Sequence, residues 1–129
     1  MLFSAAIAGG PPRRILALAE RGRIDLVVPD LVEVELIRVL RDKRRWRPAR
    51  IEAFQAQFVG AIAETPAAPD RAEPLTGDSD DDRILACAVE SHVDVLVSGN
   101  KRHLLPLGSS QGVRILTPQA LLAELRRRR

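Results

Sequence analysis

Four carboxylates fall within five positions in Asp78-Ser79-Asp80-Asp81-Asp82, and an apolar helical run, Ile84-Leu85-Ala86-Cys87-Ala88, comes directly after. Asp81 stands three residues before Ile84 and four before Leu85. On a helix it shares their face, and it is expected to point toward the packed side, ahead of Asp80 and Asp82. A carboxylate at the edge of a core, beside other carboxylates, is costly to ionise unless a cation is held there. A divalent metal ion bound through oxygen meets that need. The same residues also read as a helix start, with Ser79 or Asp80 as the cap and the acids facing the helix dipole.

Two further stretches carry chemistry. Glu35 lies three residues after Val32 and four before Val39, at the edge of an apolar helical face. Asn100 closes Ser98-Gly99-Asn100, directly after the apolar run Val93-Asp94-Val95-Leu96-Val97. Basic residues lie at two places, Arg41, Lys43, Arg44, Arg45, Arg47 and Arg50 around Trp46, and Lys101-Arg102-His103. A cation cluster around an aromatic ring suits a nucleic-acid backbone with a stacked base; it equally describes a solvated helix end with Trp46 in the core. His103 reads as a surface residue of its turn, with a phosphate contact as the alternative. Ser98 has no histidine in a triad pattern, and Gly9-Gly10 lacks the spacing of a phosphate loop. One cysteine and two histidines speak against a zinc site, and Cys87, inside an apolar helix, reads as a small core residue.

The elements that must position these groups alternate along a chain of 129 residues, read as a single domain, 1–129. The apolar fraction is 46% and the charged fraction 29%, as in globular proteins. The four arginines at 126–129 supply as much positive charge as the whole net charge of +3 requires, so the body is near neutral. No apolar run is long enough to span a bilayer, and no signal peptide opens the chain, which leads to the expectation of a cytoplasmic protein. Residues 2–8 read as a helix or the end of a strand, broken by Gly9-Gly10-Pro11-Pro12. Ile24-Asp25-Leu26-Val27-Val28 predicts a strand, 31–43 a helix, 48–63 a helix, and 65–74 an extended connection. A helix to Glu90, a buried strand from Val93, a short turn at 101–107, a strand at Val113-Arg114-Ile115-Leu116 and a helix after Thr117-Pro118 complete the series. This alternation implies an α/β sandwich with a mainly parallel sheet, and ligands gather at the carboxyl ends of such strands.

In order and spacing, Leu26-Val27-Val28-Pro29, Glu35-Leu36-Ile37-Arg38-Val39-Leu40, Asp78-Ser79-Asp80-Asp81-Asp82, Val95-Leu96-Val97-Ser98-Gly99-Asn100-Lys101-Arg102-His103 and Gly112-Val113-Arg114-Ile115-Leu116-Thr117-Pro118 resemble a PIN domain. The nearest branch is the toxin components of toxin–antitoxin systems related to the VapC ribonucleases. The resemblance implies a three-layer α/β/α sandwich and a metal-dependent ribonuclease holding Mg²⁺ or Mn²⁺. It implies catalytic roles for Glu35, Asp78, Asp81 and Asn100, with Glu35 and Asp81 as metal ligands. Arg44, Arg45, Lys101 and Arg102 are then the nucleic-acid contacts. RNA, a cognate antitoxin protein and a second copy of the chain are the implied partners. Asn100 stands where many members have a fourth acid. Members also open with a strand ending in Asp-Thr-Asn, whose Asp is the central metal ligand. Met1-Leu2-Phe3-Ser4-Ala5-Ala6 matches the segment just after that motif, so the expectation is either a start codon placed too late or a truncated chain, with a sheet lacking its first strand and open sheet edges. That expectation keeps a second function in view, a catalytically inactive PIN-like module that binds RNA or an antitoxin.

Overall fold

The computed structural model describes residues 3–9 and 13–127. Gly10, Pro11 and Pro12, expected to break the first segment and open the next helix, lie outside the described residues, as do Arg128 and Arg129 of the terminal arginine run. In chain order the elements are β1 (Phe3–Ala8), α1 (Arg13–Glu20), β2 (Ile24–Val27), α2 (Asp30–Arg38), a π-helical turn (Val39–Lys43), α3 (Pro48–Ala61), β3 (Ile62–Glu64), α4 (Ser79–Glu90), β4 (Val95–Ser98), a 3₁₀ turn (Leu105–Leu107), β5 (Ser109–Ser110), β6 (Val113–Leu116) and α5 (Pro118–Arg127).

The strands form one sheet in the order β3-β2-β1-β4-β6-β5, parallel throughout except for the β5–β6 pair. The predicted α/β/α sandwich is therefore the fold. Crossovers from β1 to β2 and on to β3 run one way across the sheet, and the return through α4 to β4 runs the other. Right-handed connection places α1 and α3, which pack on each other, on one face and α4 on the opposite face. All four residues of β4 are buried, as a strand covered on both faces requires. α5 lies on β4 and β6, and a two-pronged Arg114–Glu124 pair, both contacts 2.6 Å, ties it to the sheet. Thr117 caps it, its Oγ1 accepting from the Ala120 amide at 3.1 Å.

The expectation of a missing first strand is corrected. β1 fills the centre of the sheet, pairing Phe3–Ala6 with Ile24–Val27 on one side and Ala5–Ala8 with Val95–Ser98 on the other. Its alanines have little intrinsic preference for strand, but both neighbours are apolar strands whose backbone groups need partners, and Ala5, Ala6 and Ile7 bury there. What β1 does lack is a carboxylate: the first acidic residue of the chain is Glu20. The expected open edges also close down to short ones, three residues in β3 and two in β5. Cys87 is a core residue as predicted, 1% exposed, and burial pushes its thiol above the ordinary range.

Because the chain leaves β1 and β4 in opposite directions, the carboxyl ends of those two strands form a topological switch point. Ala8, Gly9 and Asn100 mark it, with the starts of α2 and α4 beside them.

Candidate functional site

The acidic segment opens α4. Asp78, in extended conformation, is the cap, and its Oδ1 accepts from the Asp81 amide at 3.0 Å. This corrects the placement of the cap at Ser79 or Asp80: the capping carboxylate must reach the amide three positions on, and Asp78 does so. The side chain on the packed side is Asp82, only 8% exposed. Its Oδ1 receives the amides of Leu75 and Thr76 at 3.0 and 2.7 Å and lies 2.7 Å from the Thr76 hydroxyl. Burial opposes the charge on Asp82, but the bonds from Thr76 and Leu75 prevail and hold its carboxyl below the usual range. Asp82 thus fastens the end of the long connection to α4. Asp81, half-buried, turns to the cleft at the switch point. Helical spacing alone favours Asp81 as the core-facing acid; the 75–76 loop, folding back over α4, makes Asp82 that residue.

Asn100 organises the opposite side. Its amide N–H donates to Ser98 Oγ at 2.9 Å, and its Oδ1 accepts from the amides of Arg102 and His103 at 3.0 and 2.9 Å. Two backbone donors on the oxygen leave the side-chain NH₂ to donate to Asp81 Oδ2 at 2.9 Å. The turn after β4 is thereby held in register with α4. His103 is not the surface residue that the sequence suggests. It lines the cleft, and its Nδ1 lies 3.1 Å from the Thr76 carbonyl. A Cβ at Gly77, whose φ is +91°, would come within 3.4 Å of that nitrogen, so glycine gives the ring its place. No local pattern in the sequence reveals this, because the contact joins residues 76 and 103.

The cleft is a cavity of about 680 Å³. Asp78, Asp80, Asp81, Asn100 and His103 form its polar side, while α2 and the π turn supply Leu31, Val32, Leu36, Val39 and Leu40 with Glu35 among them. The structure therefore brings Glu35, Asp78, Asp81 and Asn100 to one cleft. Glu35 is exposed and pairs with Arg38 at 3.5 Å; Asp80 pairs with Arg83 at 3.6 Å. Of the predicted nucleic-acid contacts only Arg44 lines the cavity; Arg45, Lys101 and Arg102 are exposed on its surroundings. The π-helical turn explains the choice. In an uninterrupted α-helix residue 43 would continue the cavity face of Val32 and Leu36. The wider turn, closed by Arg44 N–H to the Val39 carbonyl at 3.0 Å, brings Arg44 there instead. Arg45 then turns the chain out with φ +52°. Among the described residues the Arg44 guanidinium has no ion-pair partner. Trp46 is less available than the sequence allows. It is half-buried, edge-on to Phe54, with the Arg50 guanidinium 3.8 Å from its ring centre.

Charge in this cleft is unbalanced. Burial, then the neighbouring Asp78, raises the Asp81 carboxyl above its ordinary range; His103 and the Asn100 amide only partly counter this. One ligand atom each from Asp78, Asp81 and His103 lies within 4.8 Å of the others. Two carboxylates and an imidazole around one point fit a divalent cation, which would relieve their repulsion. Asn100→Asp should tighten Mn²⁺ binding about ten-fold in titration calorimetry by adding an anionic oxygen. In metal-free buffer the same variant should melt earlier, because the bond to Asp81 becomes a repulsion.

The fold and the cleft define an α/β/α protein with an acid-lined cleft at the carboxyl ends of its central strands. The family model described as PIN domain matches residues 1–102, and the chain belongs to the PIN-domain family. PIN domains are in general nucleases that act on nucleic acids and typically bind a divalent metal. A search of curated proteins gave no match. No helix among the described residues is long and apolar enough to cross a membrane.

Proposed function

We propose that the chain is a metal-dependent endoribonuclease and the toxin component of a toxin–antitoxin pair, restrained in the cytoplasm by its antitoxin and acting as a homodimer. The observation that carries the catalytic part is the convergence of Asp78, Asp81, Asn100, Glu35 and Arg44 on one cleft of about 680 Å³. A bound Mg²⁺ or Mn²⁺ would supply charge neutralisation at the phosphate and a more acidic water. Asp78 and Asp81 would hold it, with Glu35 as a direct or water-bridged partner. Asn100 keeps Asp81 aimed by its 2.9 Å bond to Oδ2, and Oδ1 has no hydrogen bond among the described residues. Arg44 lines the same cavity and would take a phosphate oxygen of the substrate. Hydrolysis then requires a water oxygen to add to phosphorus while the bond to the leaving sugar oxygen breaks, that oxygen taking up a proton.

Titration with Mn²⁺ and an assay on single-stranded RNA test the reading. Saturable binding below millimolar metal, with metal-dependent cleavage, is expected; no binding at millimolar Mn²⁺ would overturn it. Arg44→Ala should raise KM about ten-fold with kcat little changed, as the loss of one charged phosphate contact.

A second reading, an inactive module that binds RNA or an antitoxin, is favoured by one observation. β1 reaches the cleft with Ala8 and Gly9 and brings no carboxylate to it. RNA binding that is indifferent to Mn²⁺, with no cleavage, is its signature.

A further inference from the structure

We propose that His103 is a metal ligand of this cleft, completing an Asp78–Asp81–His103 set that selects Mn²⁺ over Mg²⁺. The inference rests on the metal-dependent reading above and deepens it.

The geometry comes first. One ligand atom from each of the three side chains falls within 4.8 Å of the other two, a spacing that a single cation can bridge. The Thr76 carbonyl, 3.1 Å from Nδ1, can only accept a hydrogen bond. In the tautomer with its proton on Nδ1, the ring donates to this carbonyl and the lone pair stands on Nε2. A backbone carbonyl on the far nitrogen is the usual support of a metal-bound histidine, fixing both tautomer and ring orientation.

That support is itself held. The Thr76 amide is bound to the buried Asp82 carboxylate at 2.7 Å, and the next residue is the glycine that makes room for the ring. On the other side the His103 amide is pinned to Asn100 Oδ1 at 2.9 Å. The ring is thus fixed from two directions, by the connection before α4 and by the turn after β4. A solvated surface histidine needs neither.

The donor set then decides the ion. Mg²⁺ favours oxygen donors and keeps much of its water, so two carboxylates serve it and an imidazole adds little. Mn²⁺ accepts oxygen and imidazole nitrogen together. His103 therefore adds affinity for Mn²⁺ and almost none for Mg²⁺. β1 contributes no acid to the cleft, so the imidazole nitrogen is a third donor beside two carboxylates and shifts the preference of the site.

Pulsed electron paramagnetic resonance of Mn²⁺ bound to the whole chain tests this without any variant. A ¹⁴N coupling from a directly bound imidazole is expected, with Mn²⁺ binding at least ten-fold tighter than Mg²⁺ in competition titration. His103→Gln should lose the coupling, weaken Mn²⁺ about ten-fold and leave Mg²⁺ within two-fold. Bound Mn²⁺ without ¹⁴N coupling overturns the assignment of His103 and leaves the nuclease reading standing. Failure to bind Mn²⁺ at all, with no RNA cleavage, overturns both.

Discussion

Asp81→Asn will bind Mn²⁺ at least about a hundred-fold more weakly than the parent chain, and its cleavage of single-stranded RNA will be lost. The substitution keeps the size of the side chain, and an amide oxygen can still accept from Asn100, so the turn after β4 stays in place. What goes is one of two cleft carboxylates without an ion-pair partner among the described residues. Asp80→Asn removes the same charge one residue earlier, from a side chain already paired with Arg83, and should cost several-fold at most. The metal-free fold responds in the opposite sense. Burial and Asp78 raise the Asp81 carboxyl, so its ionised form is penalised in the folded state. Without metal, Asp81→Asn should therefore melt at a higher temperature at neutral pH, and that gain should shrink as pH falls through the raised pKa toward the ordinary one. A variant that loses metal while gaining stability behaves as a functional site does. Undiminished cleavage by Asp81→Asn would remove the cleft from the mechanism.

Asp82→Ala will cost about 3 kcal/mol of folding stability, and roughly 10 °C in melting temperature. The carboxylate receives two backbone amides and neighbours the Thr76 hydroxyl, and its loss leaves donors at part-buried positions with nothing to bind. Few single side chains outside the apolar core hold so much. The sign with pH is opposite to that of Asp81. Hydrogen bonds hold the folded pKa of Asp82 below its unfolded value, so its contribution is full above the ordinary carboxylate range and fades as pH falls through the lowered one. In urea unfolding, parent and Asp82→Ala should differ most near neutrality and converge in acid. A constant difference across that range would mean that packing, and not the charge, holds the loop.

Sequence reasoning succeeds here where the signal is local. The almost continuously apolar run of β4, the helical spacing of Val32, Leu36 and Val39, and the proline at the start of α3 each specify their element within a few residues. The cleft residues Glu35, Asp78, Asp81 and Asn100 are legible because the acidic segment and the Ser98-Gly99-Asn100 turn sit at element ends, where an α/β sheet places its ligands, and Glu35 lies on the helix beside them. Three features are hidden, each for want of a distant partner. Residues 3–8 carry small and apolar side chains compatible with helix or strand, and only the neighbours on both sides decide for the strand. Asp82 is anchored by amides that arrive from the 75–76 loop. His103 takes its orientation from a carbonyl supplied by residue 76. The π turn that exchanges Lys43 for Arg44 leaves no mark in the composition at all.

The carboxylates Asp78 and Asp81, the Asn100 bridge and His103 all belong to one continuous helix–strand unit: α4 with its cap, β4 and the turn after it. An ion at this point would act as a clasp between the first turn of the helix and the exit of the strand, the two ends that meet when the unit folds. Its binding energy would then be concentrated in one stretch of the chain, residues 78–103, hard to open while the clasp is shut. Chelation should accordingly release the amides of α4 and β4 to hydrogen exchange while those of α1 and α3 keep their protection.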